Sequence, residues 1–134
     1  MQEIKQLFFT YRNGAVADTL RRYGTPHKMI FGLDVPRIAE IARGLPPSTE
    51  LADRLWKDSD VRESRLLATY LFPVAEVTEE KALTLASECR TQEEADMLAF
   101  RLLKRLPYAA ALLERMKEMP ECGRAAKSLA AHLA

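Results

Sequence analysis

The fold is decided by two stretches of sequence, STELADRLWKDSDVRESRLLATYLFP at residues 48–73 and TEEKALTLASECRTQEEADMLAFRLLKRLP at residues 78–107. In both, apolar residues recur at intervals of three and four, which is typical of helices with one buried face. Each stretch holds two such helices and ends in a proline, which cannot continue a helix. The sequence therefore predicts two helix pairs, each joined by a short turn.

The starts of the second helices repeat as well. Asp60 is followed three residues later by Glu63, and Thr91 is followed three residues later by Glu94. This spacing is that of a capping box, which satisfies backbone N–H groups at the beginning of a helix. Because Asp60 and Thr91 lie 31 residues apart, the pattern predicts a repeat of about thirty residues.

The alternation of helix and turn extends to both ends of the chain. Asn13 is suited to cap a helix that stops at Gly24, and Pro36 lies in the first turn of the next helix. Residues 25–34 carry no helical pattern. The nine predicted helices cover residues 1–11, 13–24, 36–45, 48–57, 60–72, 78–89, 91–106, 108–119 and 123–133.

Short helix pairs that cannot bury their apolar faces alone are typical of a stacked α-solenoid. We therefore expect an all-α fold, in which antiparallel helix pairs stack as a HEAT-like α-α superhelix. One domain, residues 1–134, is expected, with a concave side that offers a long binding surface. A compact orthogonal bundle is the alternative.

The composition argues against several classes of protein. The chain is 48% apolar and 29% charged, as in globular domains, and its net charge of +1 disfavours a strongly basic nucleic-acid module. Cys89 and Cys122 have no metal-binding spacing, so we expect reduced thiols, with no metal or cofactor. No signal peptide or membrane span is evident. We expect a cytoplasmic protein without a membrane partner.

Few residues are candidates for catalysis or ligand binding. No phosphate-binding loop, nucleophile elbow or zinc-protease motif occurs, and His27 and His132 are interpreted as surface residues. Asp96 lies at the border of an apolar stripe on helix 91–106. Either it joins Glu93 and Glu94 in complementing the positive end of the helix dipole, or it stabilises positive charge on a substrate or orients a water.

Basic side chains occupy two helix faces, one with Arg62 and Arg65 and one with Arg101, Lys104 and Arg105. In a solenoid the second helices of successive pairs lie side by side, so the two faces could form one strip along a phosphate backbone. Ordinary solvated helix faces have the same pattern. Both interpretations stay open at this point.

The order of the motifs resembles a known family. FGLDVP at residues 31–36, the Leu55-Trp56 pair at the end of a helix, and RESRLLA at residues 62–68 are similar to the AlkD-like family of HEAT-repeat DNA alkylation-repair proteins. The similarity extends over roughly residues 20–106. It implies a superhelix whose concave, basic face grips duplex DNA, and a glycosylase that removes positively charged N3- or N7-alkylated purines.

The resemblance also implies a catalytic site. Active members carry two aromatic residues, an acid, two further residues and an aspartate, and here Glu93 and Asp96 hold the acid positions. Thr91 and Gln92 stand where the family has tryptophans. Aromatic faces would contact the cationic base, while the carboxylate stabilises charge on the sugar. The resemblance thus implies Asp96 and Glu93 as catalytic residues beside an incomplete cation site.

Two functions follow as alternatives. The first is a DNA-binding relative of the alkylation-repair glycosylases that works without metal through Asp96, with phosphate contacts from Arg62, Arg65, Arg101, Lys104 and Arg105. The second is a catalytically inactive HEAT-like scaffold that binds a protein partner on its concave face. The near-neutral charge and the missing tryptophans favour the second. The sequence does not predict the oligomeric state.

Overall fold

The computed structural model describes residues 1–134 and contains helices and turns but no strand. The nine α-helices are α1 (Gln2–Thr10), α2 (Gly14–Arg22), α3 (Val35–Arg43), α4 (Thr49–Lys57), α5 (Arg62–Leu71), α6 (Glu79–Ser87), α7 (Gln92–Arg101), α8 (Ala109–Lys117) and α9 (Gly123–Leu133). Short 3-10 helices lie at Val74–Glu76, Leu103–Arg105 and Pro120–Cys122. The predicted all-α fold of short helices is confirmed. No helix combines the length and apolar character that crossing a membrane requires.

The chain divides into two compact units, Met1–Leu71 and Phe72–Ala134. The first unit holds α1 to α5, and the second holds α6 to α9. Each helix pair that the sequence predicts falls within one unit. The single domain over residues 1–134 stays a prediction.

Helix α5 is the centre of the first unit. Every residue from Arg62 to Thr69 is buried, and the helix packs against α3 and α4. Ile38 of α3 and Leu55 of α4 are fully buried with it. Because buried polar groups are nearly always hydrogen-bonded, the polar side chains of α5 must have partners inside the protein.

Side chains cap the starts of several helices. The capping residues, each of which accepts a hydrogen bond from the backbone N–H three residues later, are Asn13, Asp34, Ser48, Thr78 and Thr91. Each cap satisfies one of the N–H groups that has no partner within its helix. The caps predicted at Asn13 and Thr91 are confirmed.

In the second unit, α7 and α9 lie side by side and run in the same direction. Three contacts join residues 32 positions apart: Gln92 with Arg124, Asp96 with Ser128, and Phe100 with His132. The direction follows because the contacts advance by four residues along both helices. Second helices of successive pairs therefore stack here, as the thirty-residue repeat predicts.

Helix α7 ends well before its predicted end. The helix expected over residues 91–106 ends at Arg101, and the turn at Leu103–Arg105 follows. Leu106 is extended, with φ −71° and ψ 137°. This conformation is expected for a residue before a proline, which disfavours helical backbone at the preceding position.

The interpretation of His27 as a surface residue is wrong, whereas His132 is exposed. His27 lies in the loop between α2 and α3 and is fully buried. The guanidinium of Arg21 donates to the carbonyl oxygens of His27 and Lys28. These contacts tie the loop to α2.

Candidate functional site

Two segments of the first unit that carry the family resemblance, FGLDVP and RESRLLA, meet at a buried carboxylate. Glu63, near the start of α5, is fully buried, and its two oxygens accept hydrogen bonds from the N–H groups of Phe31 and Gly32, each at 3.0 Å. The N–H of Asn13 donates to Phe31 O at 2.8 Å. Residues 29–34, from here on the Phe31 loop, are therefore held between α2 and α5.

Arg62 neutralises the charge of Glu63. Its Nη1 lies 2.8 Å from Glu63 Oε2 and 2.8 Å from Leu33 O. A buried charge is tolerated when it is paired and its hydrogen bonds are satisfied. Both interpretations of the helix face that carries Arg62, a strip along phosphates and a solvated face, are wrong for this residue, because its guanidinium is buried against the Phe31 loop.

Glycine is required in the Phe31 loop. Gly32 has φ +85°, and a Cβ at this position would lie 2.1 Å from Asn13 O and 2.9 Å from Ala17 N. Both are backbone atoms, so they cannot move aside as a flexible side chain would. The close approach of the loop to α2 therefore explains the glycine of the FGLD sequence.

The next residues of α5 also contact their own unit. Ser64 Oγ donates to Asp58 Oδ2 at 2.7 Å, and the guanidinium carbon of Arg65 lies 4.1 Å from the centre of the Trp56 ring. Since Arg65 is buried as well, both interpretations of this helix face are wrong here too. The RESR sequence serves the packing of the first unit.

The capping box predicted from Asp60 and Glu63 is also wrong. Helix α5 begins at Arg62, and the carboxylate of Glu63 is used by the Phe31 loop instead. The N–H groups of Phe31 and Gly32 in this irregular loop have no backbone carbonyl as a partner. A buried carboxylate supplies the acceptors that they need.

The start of α7 resembles the predicted capping box more closely. Thr91 Oγ1 accepts from the N–H of Glu94 at 3.1 Å, and the buried carboxylate of Glu94 accepts from the N–H of Arg90 at 2.9 Å. Glu93 is half-buried on the same turn. Glu94 therefore serves the helix start.

Asp96 differs from Glu94 because its side chain is exposed. Its Oδ1 accepts hydrogen bonds from Gln92 Nε2, at 2.9 Å, and from the hydroxyl of Ser128 on α9. Gln92 Nε2 also lies 2.8 Å from Ser128 Oγ. Asp96, Gln92 and Ser128, from here on the Asp96 cluster, line an open depression together with Lys127 and Ala131. Oδ2 of Asp96 accepts no hydrogen bond from the protein.

The predicted basic residues of the second unit lie beyond Asp96. Arg101 and Lys104 are partly exposed, and Arg105 is exposed. Lys104 Nζ lies 3.8 Å from the centre of the Phe100 ring. Because Phe100 follows Asp96 by four residues, these groups continue the face that carries the Asp96 cluster.

Comparison with known proteins bears on this arrangement. The model of the family described as DNA alkylation repair enzyme matches residues 4–130. The chain belongs to the DNA alkylation repair enzyme family. Membership in this family indicates a role in DNA alkylation repair and an interaction with DNA. Comparison with curated proteins and with solved structures gave no match.

In this member of the DNA alkylation repair enzyme family, the two positions expected to be aromatic hold polar side chains that make hydrogen bonds. Thr91 caps α7, and Gln92 belongs to the Asp96 cluster. Sequence reasoning missed Ser128 and the contact of Phe100 with His132. The 32-residue spacing across the repeat was the available signal, since it pairs each of them with a residue on α7.

Burial raises the pKa of two other groups of the second unit. Burial raises the pKa of the Cys122 thiol, with a further effect from Glu121. Burial also raises the pKa of Tyr108, with a further effect from Glu79, and the Tyr108 hydroxyl donates to Val77 O at 2.6 Å. No group of three or more His, Cys, Asp or Glu side chains is placed to hold a metal ion.

Proposed function

We propose that the chain is an AlkD-like member of its family, which binds duplex DNA through α7, the turn Leu103–Arg105 and α9. Bound there, it excises cationic N3- or N7-alkylated purines with Asp96 as the catalytic carboxylate. The observation that carries the proposal is an exposed carboxylate with one open oxygen, in a depression that Lys127 also lines, on helices that carry further basic side chains without an ion pair.

Two groups of basic residues in the second unit differ in whether they form ion pairs. Those of α7, the turn and α9 that make no ion pair are Lys104, Arg105, Arg124 and Lys127. On α8, by contrast, Arg115 Nη1 lies 3.1 Å from carboxylate oxygens of both Glu79 and Glu80, and Lys117 Nζ lies 3.2 Å from Glu114. Cations whose charge no carboxylate of the protein neutralises are available to phosphates.

Cleavage of the glycosidic bond of a cationic purine requires few catalytic groups besides the Asp96 carboxylate. When the bond between C1′ and the base nitrogen breaks, its electron pair neutralises the positive charge of the departing purine. The sugar then carries the positive charge, which the Asp96 carboxylate stabilises. Water bonds to C1′ and gives its proton to the carboxylate or to solvent. Gln92 and Ser128 hold Oδ1, so that Oδ2 faces the reacting centre.

The DNA contact is tested by fluorescence anisotropy with duplex DNA at several salt concentrations. We expect Lys104→Gln/Arg105→Gln to weaken binding and to reduce the slope of log K against log salt by about two. The matched control is Arg115→Gln/Lys117→Gln, which removes the same charge from α8. Equal effects of the two variants would contradict the proposed surface.

Catalysis is tested by base release from alkylated duplex DNA under single-turnover conditions. Asp96→Asn keeps an oxygen for Gln92 and Ser128 but removes the charge, so we expect release to fall by about a hundredfold or more. Glu114→Gln, an exposed carboxylate on α8, is the control and should release bases as the wild type does. Release that survives in Asp96→Asn would remove Asp96 from the mechanism.

A second candidate function is a catalytically inactive scaffold. The observation that favours it is the use of Thr91 and Gln92 as polar contacts where a cationic base would need aromatic faces. Wild-type protein that binds DNA without releasing bases would support a DNA-binding scaffold. Wild-type protein that does not bind DNA at low salt would support a protein partner.

A further inference from the structure

We infer that Phe100 is a stacking platform for an unpaired or displaced base of the bound DNA, with Lys104 contacting the phosphate of that nucleotide. The inference rests on the proposed DNA binding, and it assigns the aromatic contact to a residue outside the segment 91–96. From here on, the Phe100 platform means Phe100, Arg101, Lys104 and His132.

The first observation is the exposure of the ring. Phe100 is 44% exposed although it lies on a helix whose neighbouring positions, Leu98 and Ala99, are buried. Apart from Leu133, it is the only large apolar side chain of the second unit that is exposed. The ring therefore contributes little to the core and lies at the surface of the unit.

The second observation is the charge around the ring. Lys104 Nζ lies 3.8 Å and the Arg101 guanidinium carbon 5.5 Å from the ring centre, and the His132 ring centre lies 5.4 Å away. The core of a protein–protein interface is depleted of lysine. An aromatic face with cationic neighbours instead matches a nucleotide, which offers both a flat base and a phosphate.

The third observation is the position relative to Asp96. Residues four apart on a helix are neighbours on one face, so the Phe100 ring lies one turn beyond the carboxylate. A base stacked on Phe100 would take the place that the Lys104 ammonium now occupies. The ammonium is then released toward the phosphate, where it makes a stronger ionic contact than with the ring.

The test uses two duplexes, one fully paired and one with a single bulged 2-aminopurine, whose fluorescence falls when it stacks on an aromatic ring. We expect Phe100→Leu to weaken binding to the bulged duplex by roughly fivefold or more, with loss of the quenching. Binding to the paired duplex should change less than twofold, and Phe100→Trp should restore both affinity and quenching.

The chain provides a matched control in Phe9. This ring is 50% exposed and has the Arg12 guanidinium carbon 3.9 Å from its centre, but it belongs to the first unit and is not part of the Phe100 platform. Phe9→Leu should bind both duplexes as the wild type does. Thermal unfolding of each variant checks that the fold is intact.

The outcomes separate this inference from the proposed function. If the wild type binds neither duplex, DNA binding itself fails and the platform fails with it. If the wild type binds and Phe100→Leu matches it on both duplexes, the platform is wrong while DNA binding stands. An equal loss in Phe9→Leu and Phe100→Leu would also overturn the assignment, because the effect would not be specific to this surface.

Discussion

The starts of α5 and α7 use the same residue types for different purposes. At α5, Glu63 is buried and both of its oxygens accept from backbone N–H groups. At α7, Asp96 is exposed, and only Oδ1 is held. A buried carboxylate that accepts hydrogen bonds at both oxygens within the protein stabilises the fold, whereas one with an open oxygen at the surface is available to a ligand.

The comparison also shows that the residues that identify the family are not the residues that are accessible to a ligand. The residues that carry the family resemblance most clearly, FGLD and RESR, are those that bind the Phe31 loop to α5. The second unit, whose match to the expected site is weaker, holds the accessible carboxylate and the basic side chains that lack ion pairs. A sequence signature of this kind identifies a shared fold before it identifies a shared activity.

The largest effect is expected from Glu63→Gln. The amide would place an NH₂ group against the N–H of Phe31 or Gly32 and leave the buried Arg62 charge without its counterion. Breaking a buried ion pair costs about 3–5 kcal/mol. Urea denaturation should show this loss in the free energy of unfolding, and a loss below about 1 kcal/mol would contradict the structural role of Glu63.

Gly32→Ala should lower the free energy of unfolding by about 3 kcal/mol, a somewhat smaller loss. Positive φ is unfavourable for alanine, and the new Cβ would clash with the backbone of α2. Gly24→Ala is the matched control. Gly24 also has positive φ, at +92°, but a Cβ there would meet nothing within 4 Å. Its cost should be about 1 kcal/mol. Equal losses would show that φ alone, and not the approach of the Phe31 loop to α2, requires glycine.

Much of the fold could be predicted from local signals. Apolar periodicity, prolines and the caps at Asn13 and Thr91 depend only on neighbouring residues, so the helices were found nearly to their ends. The wrong predictions involve contacts distant in sequence. Nothing near Arg62 or Glu63 indicates that the Phe31 loop, about thirty residues earlier, supplies their partners.

The candidate site likewise combines features that neighbouring residues predict with features that depend on residues distant in sequence. Asp96 and the basic residues after it could be named from the helix face. Ser128, which fixes the orientation of Asp96, could not, because its contribution depends on α9 stacking in register with α7. The exposure of Phe100 likewise depends on what packs around α7, which periodicity does not define.

A smaller effect, about 1 kcal/mol, is expected when Tyr108→Phe removes the hydrogen bond to Val77 O. The pKa of Tyr108 is raised by burial and then by Glu79, so folding favours the protonated hydroxyl. Its contribution is fully present below pH 10.0, the ordinary value, and is lost as pH rises through the folded pKa. Urea denaturation from pH 8 to 11 should show a smaller alkaline loss of stability in Tyr108→Phe than in the wild type.

The smallest effect on stability is expected from Asp96→Asn, the same carboxylate-to-amide change as at Glu63. The amide oxygen can still accept from Gln92 and Ser128, and the lost charge faces water, so the free energy of unfolding should change by no more than about 0.5 kcal/mol. Urea denaturation of Asp96→Asn beside Glu63→Gln therefore measures the difference between the two helix starts directly. If Asp96→Asn lowered the free energy of unfolding almost as much as Glu63→Gln, the Asp96 cluster would be needed to hold α7 against α9. Both carboxylates would then serve to stabilise the fold.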